Sequence, residues 1–187
     1  VHFAEPFSTY LKKHNHRLHL TGYRLDNAIK KAQTDVVADP DTAKDLVWGF
    51  INQETKHQPA AKGAPQALKK LQELAQIIIL SNVPHTVHDD RVTNLKNIGM
   101  DYPLISNEGM KGPAVKEILK NHKAESFFID DNPYQVESVY NDNQDTVCVH
   151  FSVCDLVKPY MPKAVGASIE PSSWNDLVLK LTNNLKG

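Results

Sequence analysis

From Gly63 to Phe151 the sequence alternates short apolar, β-branched runs with longer stretches of helical periodicity. That alternation leaves few architectures open. Ala64–Ala75 places Ala67, Leu68, Leu71, Leu74 and Ala75 on one helical face. Ile77–Leu80 follows, wholly apolar, as expected for a strand covered on both faces. Val87, Val92, Leu95 and Ile98 then recur at helical spacing, with Gly99 as a stop. Tyr102–Ile105 reads as a strand, Pro113–His122 as a helix, and Ser126–Ile129 as a strand. Val136, Val139 and Tyr140 mark the next helical face, and Thr146–Phe151 a further strand. Ser172 or Ser173 caps a last helix, whose Trp174, Leu177, Val178 and Leu181 face inward. Strand and helix in strict alternation predict an α/β fold: a Rossmann-like, three-layer parallel sheet with helices on both faces.

The first 60 residues read differently. Phe7–His14 and a segment capped by Asp41 look helical, the latter with Ala43, Leu46, Val47, Phe50 and Ile51 on one face. No strand stands out between them. Residues 6–59 are therefore expected to form a small helical cap over the strand ends, and residues 1–5 and 60–187 the α/β core. The alternative is that these helices cover one face of the main sheet.

Composition narrows the partners. The 187 residues carry a formal charge of −1, with no basic stripe for nucleic acid. The longest apolar run is too short to span a bilayer, and His2 and Glu5 interrupt any signal-peptide pattern at the start. Cys148 and Cys154 fit reduced thiols in a strand and its exit. The expectation is a cytoplasmic protein with no membrane and no nucleic-acid partner.

In open α/β sheets, ligands bind beyond the carboxyl ends of the strands. Three such ends carry polar side chains. "IIILSNVP" ends in Ser81 and Asn82, whose hydroxyl and amide suit phosphate oxygens beside a helix start. "NEGMKGPAVKEIL" sets Lys111 in a glycine-rich turn entering a helix, where an ammonium offsets phosphoryl charge. "FFIDDNP" runs a buried strand into Asp130 and Asp131, a pair suited to a hard cation such as Mg²⁺. Each feature alone is ordinary turn chemistry; their order along successive strand–helix units is the signal. His85 directly follows the Ser81 site and is a candidate substrate contact, or one residue of a polar first turn.

These motifs resemble those of the haloacid dehalogenase-like (HAD) hydrolase superfamily, over about Lys62 to Phe151. The resemblance implies a Mg²⁺-dependent phosphohydrolase acting on a small phosphate monoester through an aspartyl-phosphate. It matches Ser81 to the hydroxyl that bonds the phosphoryl group and Lys111 to the lysine that steadies its charge. Asp131 matches the metal-binding acid, with Asp130 beside it. The early "VHFAEPFSTYL" resembles the segment directly after the first motif in the capped, deoxyribonucleotidase-like branch, and a nucleotide is one candidate among the monoesters.

That first motif, Asp-x-Asp-x-Thr/Val at the end of the central strand, is not found in the sequence. Either the catalytic strand lies upstream of Val1, or Ala4 and Pro6 stand where the acids belong. A strand ending in Pro suits the middle of a sheet poorly, which favours the former. Two further readings stay open: a metal-independent 2-haloacid dehalogenase, and a degenerate scaffold that binds through the old site. His14, His16 and His19 form a histidine cluster expected to be solvated rather than ligating, and Trp48 and Trp174 are expected in core stripes.

Overall fold

The computed structural model describes residues 1, 3–23, 25 and 27–186, with the backbone alone for Lys186. The fold is mixed α/β, with parallel strand pairs and helices between them. β3 (Ile79–Ser81) pairs in parallel with β4 (Leu104–Ser106), and β5 (Ser126–Asp130) in parallel with β6 (Thr146–His150). α3 (Ala64–Leu71), α4 (His88–Asn97), α5 (Gly112–Leu119), α6 (Pro133–Asp142) and α7 (Trp174–Lys186) complete this part. Each strand thus falls within two residues of its expected position. β3 starts later than expected because β4 offers only three partners, so Ile77 and Ile78 approach it without pairing.

Among the described residues, β3–β4 and β5–β6 are two separate sheets rather than one. The expected covering of the Ile77–Leu80 run on both faces is therefore not realised. All three β3 residues are only half-buried, and Ile78 is 39% exposed. A continuous cleft of about 1430 Å³ lies between the pairs, lined by Leu80 on one side and Phe127 and Ile129 on the other.

α1 (Ala4–Lys13), β1 (His16–Leu18), β2 (Ile29–Lys31) and α2 (Pro40–Glu54) build the N-terminal part. Its own apolar cluster joins Phe7, Tyr10, Leu11, Ile29, Leu46 and Phe50. β1 and β2 form an antiparallel hairpin where the sequence showed no strand. With three pairs and flanking polar residues, it is too short to display an alternating pattern. Asp39, rather than Asp41, caps α2: its carboxylate accepts from the Thr42 N–H at 2.9 Å, ahead of Pro40 at the first helical position. Trp48 is not a core residue; it is 44% exposed on α2, whose inward face belongs to Leu46 and Phe50.

Other helix faces depart from the periodic reading as well. α3 ends at Leu71, which leaves Leu74 exposed. Tyr140 is exposed, while Val136 and Val139 are fully buried. α4 buries Arg91, Asn94 and Leu95 and exposes Val92. The reason is a polar contact. Asn94 Nδ2 donates to the carbonyls of Lys56 and Gln58, and Arg91 donates to Gln58 and Asn94. The helix thereby satisfies the chain linking the two parts, whose buried carbonyls need donors. At α7 the expected cap holds: Ser173 Oγ accepts from the Asp176 N–H, and Asp176 accepts from the Ser172 N–H in return. Cys148 is buried in β6, where loss of water pushes its thiol up to about 11; Cys154 is half-buried and also free.

Candidate functional site

At the carboxyl end of β3, the Ser81 carbonyl accepts from the Asn107 N–H at 2.9 Å, carrying the pairing with β4 one step into the loop. The Asn82 side chain secures the same loop. Its Nδ2 donates to the Gly109 carbonyl at 2.7 Å, and its Oδ1 accepts from Asn107 Nδ2 at 2.9 Å. Much of the Asn82 amide, assigned to substrate on sequence, is thus committed to holding the turn that presents Lys111.

That turn is clamped from the other side by α6. Gln135 is buried, accepts from the Lys111 N–H at 2.8 Å and donates to the Gly109 carbonyl at 3.1 Å. Ser138 Oγ accepts from the Gly112 N–H, and Asn143 Nδ2 donates to the Gly112 carbonyl. Gly109 takes φ +82°, which a side chain would resist, so the turn reverses tightly enough to start α5 directly after Lys111. Lys111 Nζ then reaches Asp130 Oδ2 at 2.6 Å, with both side chains nearly buried.

Asp130 ends β5. Its second oxygen accepts from the Asn132 N–H at 2.9 Å, just before Asn132 itself caps α6 by accepting from the Tyr134 N–H. Both Asp130 oxygens are engaged. Asp131 is different: its side chain stands at the cleft mouth, and no described cation lies within ion-pair distance. Loss of water around its carboxylate raises its pKa, and the neighbouring Asp130 raises it further, while Lys111 pulls the other way. Asp131 as a whole is exposed, yet the protein crowds its carboxylate, and this loss of water governs the shift.

Ser81, Asn82, Lys111, Asp130 and Asp131 all line the one cleft. His85 does not; it is exposed in a short 3-10 turn outside the lining. The histidine cluster is occupied locally, with His16 Nδ1 sharing a hydrogen bond with the His14 carbonyl and the His14 ring packed on Tyr10.

Several residues of the site were not singled out from the sequence. Gln135 and Ser138 share a helical face at i, i+3 spacing, a polar stripe beside the apolar one. Tyr23 reaches the cleft from the N-terminal part; burial, then Asp131 and Asp130, hold its phenol protonated above its usual range. Arg91 also lines the cleft, and burial lowers it to about 10. No periodic signal marks a loop tyrosine or a single buried arginine.

A carboxylate whose charge is disfavoured by burial and by a like charge suits a cation as counterion. The donors are all oxygen, as Mg²⁺ requires, and the described residues hold no group of three metal-ligating side chains, so such an ion would keep several waters. Asp131 would be its direct protein ligand, with Asp130 held beside it by Lys111.

No family model matches the chain, and no curated protein matches it. It is similar in structure to a chain from Burkholderia xenovorans LB400 described as a haloacid dehalogenase-like hydrolase. The identity is 13% and the TM-score 0.46, over 74% of this chain and 66% of that one. This chain thus spans just under two thirds of that neighbour's length. No described helix is long and apolar enough to cross a membrane.

Proposed function

We propose that this chain is the core of a HAD-like, Mg²⁺-dependent phosphohydrolase acting on a small phosphate monoester, with a nucleotide as the first candidate. One observation carries the reading: a hydroxyl, an ammonium and a carboxylate pair from three separate strand ends line one cleft. Ser81 Oγ would hold a phosphoryl oxygen. Lys111 would share its charge between Asp130 and the phosphoryl group, from a turn fixed by Asn82 and Gln135. Mg²⁺ on Asp131 would supply a Lewis acid for the phosphoryl oxygens. Residues 6–59 would act as the cap, with Tyr23 brought against the acids to exclude water and meet the leaving group. The attacking carboxylate would come from outside residues 1–187, in line with the phosphoryl group. The fold would be three-layered, with helices on both faces of one sheet.

The test is phosphate release by the natural-length protein from a panel of nucleoside and sugar monophosphates. Release is expected to need Mg²⁺, to stop on chelation, and to be lost in Asp131→Asn with the fold intact. No release from any monoester, or release indifferent to chelation, overturns the proposal. Halide release from a 2-haloacid without Mg²⁺ also overturns it.

A further inference from the structure

Among the described residues, Lys111 and Arg91 are the lysine and arginine side chains that line the cleft. Lys111 is answered by the Asp130 carboxylate at 2.6 Å. Arg91, on α4, is only 7% exposed and meets neutral amides alone. Its Nη1 donates to Asn94 Oδ1 at 2.8 Å and its Nη2 to Gln58 Oε1 at 2.5 Å. A guanidinium carries five N–H donors. Its Nε is buried with no acceptor among the described residues, and two amide oxygens leave the charge itself unanswered.

The acids nearest in sequence do not supply the missing charge. Asp89 is exposed, and Asp90 turns to Lys56 Nζ at 3.5 Å. Burial lowers Arg91 to about 10, and no carboxylate stands close enough to raise it again. The acids of the cleft are not its counterions either. Asp130 is engaged by Lys111 and the Asn132 N–H, and Asp131 feels Lys111 rather than Arg91. Arginine is almost never buried without a partner, because neutral contacts do not make up for the water its charge has lost. A neutral ligand would only repeat what Gln58 and Asn94 already do. An oxyanion placed side-on takes the Nε–H and a neighbouring Nη–H together and balances the charge.

We infer that Arg91 is an anion-binding residue of the cleft, taking a carboxylate or phosphate group of the bound ligand at a place separate from the Lys111–Asp130 pair. The guanidinium is held ready for it. Asn94, which accepts from Nη1, is itself fixed by donating to the carbonyls of Lys56 and Gln58. Val1 lines the cleft within electrostatic reach of both Arg91 and Asp131, so the two stand toward the same end and one ligand can span them. In the one respect that rests on the function proposed above, the substrate then carries a second oxyanion besides its ester phosphate, as a bisphosphate or a phosphorylated acid does. The anion site itself does not need phosphatase activity.

The arginine Nε–Hε signals in nitrogen-15 NMR of the natural-length protein test it. Inorganic phosphate and malonate are the probes, with chloride at equal ionic strength as control. Residues 1–187 hold three arginines, and loss of one signal in Arg91→Lys identifies that of Arg91. Phosphate or malonate is expected to shift this signal saturably and to slow its exchange with water about tenfold, while Arg17 stays unmoved. Which probe acts decides between phosphate and carboxylate. The thermal midpoint should rise with the same anion in the wild type and in Lys111→Met/Asp130→Asn, but not in Arg91→Met. Should Arg91→Met fail to fold, the wild-type signal still decides. An Arg91 signal already protected and indifferent to both probes overturns the inference, because the guanidinium is then answered within the protein. An equal response to chloride, or at every arginine, means an adventitious ion only and overturns it too. Inactivity toward every phosphate ester leaves the Nε result unchanged, so the site and the proposed function fail independently. With an active enzyme, Arg91→Met is expected to raise KM about tenfold for a substrate with a second oxyanion and to spare a plain monoester. Equal effects on both sink the substrate class.

Discussion

Lys111 and Asp130 meet at 2.6 Å with side chains only 12% and 8% exposed, so each has exchanged most of its water for the other. A buried pair is a weak source of net stability, because desolvation cancels much of the attraction; removing one partner is what costs. Lys111→Met strands the Asp130 carboxylate, and only the Asn132 N–H remains to it. The expected loss in urea unfolding is about 3 kcal/mol. The Lys111→Met/Asp130→Asn double variant should recover most of it, because no uncompensated charge is left. A double variant as unstable as the single one sinks this account. Asp131 behaves oppositely. Its folded pKa lies above its unfolded value near 3.8, so the folded state binds the extra proton between the two. That contribution to stability is therefore greatest below this window and falls as pH rises through it. At neutral pH the ionised group is a cost that a bound cation would offset.

α5 and α6 hold the site together by close approach rather than by area. A Cβ built on Gly112 meets the Ser138 carbonyl, Ser138 Oγ and the Asp142 carboxylate. Gly112→Ala is thus expected to cost about 2–3 kcal/mol, since the obstructing atoms include backbone that cannot rotate away. Thermal unfolding checks the magnitude, and a loss within error of zero would show that α6 slides freely on α5. At this scale the sequence was most legible where burial follows period. The strands and Val136, Val139, Leu177 and Leu181 were readable because an apolar side chain reports its own burial. The place of Ser81, Lys111, Asp130 and Asp131 on one cleft was legible because each stands at or beyond the carboxyl end of a strand. Polar burial escaped. Arg91, Asn94 and Gln135 are inward because of hydrogen bonds to groups far along the chain, and a partner over 20 residues away leaves no local pattern. Trp48 and Leu74 misled for the converse reason: Trp48 sits on the exposed side of α2 and Leu74 lies beyond the end of α3, so apolar residues at helical spacing are left exposed.

Over the whole molecule, three side chains tie the two strand pairs to each other. Leu68, Val153 and Trp174 pack both against the cluster of Val149, Phe151 and Leu177 and against that of Leu95 and Met100. Trp174 is the largest of them. Its ring stands edge-on to Phe151 at 4.9 Å and packs against Gly63, whose φ of +91° turns the chain out of the linker. Because β3 and β5 share no ladder among the described residues, this contact carries much of the coupling between the halves. Trp174→Ala is expected to cost about 3 kcal/mol, and Trp174→Phe clearly less, since an aromatic edge remains for Phe151. The chain has two tryptophans, so in Trp174→Ala fluorescence reports Trp48 on α2 alone, while circular dichroism reports helices throughout. The N-terminal part has its own apolar cluster around Phe7 and Phe50, distinct from those that Trp174 joins. If residues 6–59 are a separate cap, the urea midpoint by Trp48 fluorescence should move less than the midpoint by circular dichroism. Equal displacement of the two midpoints would instead mean one cooperative unit. The polar contact of Gln58 with Arg91 and Asn94 would then be a structural joint, transmitting core instability into the N-terminal part, rather than a boundary between two domains.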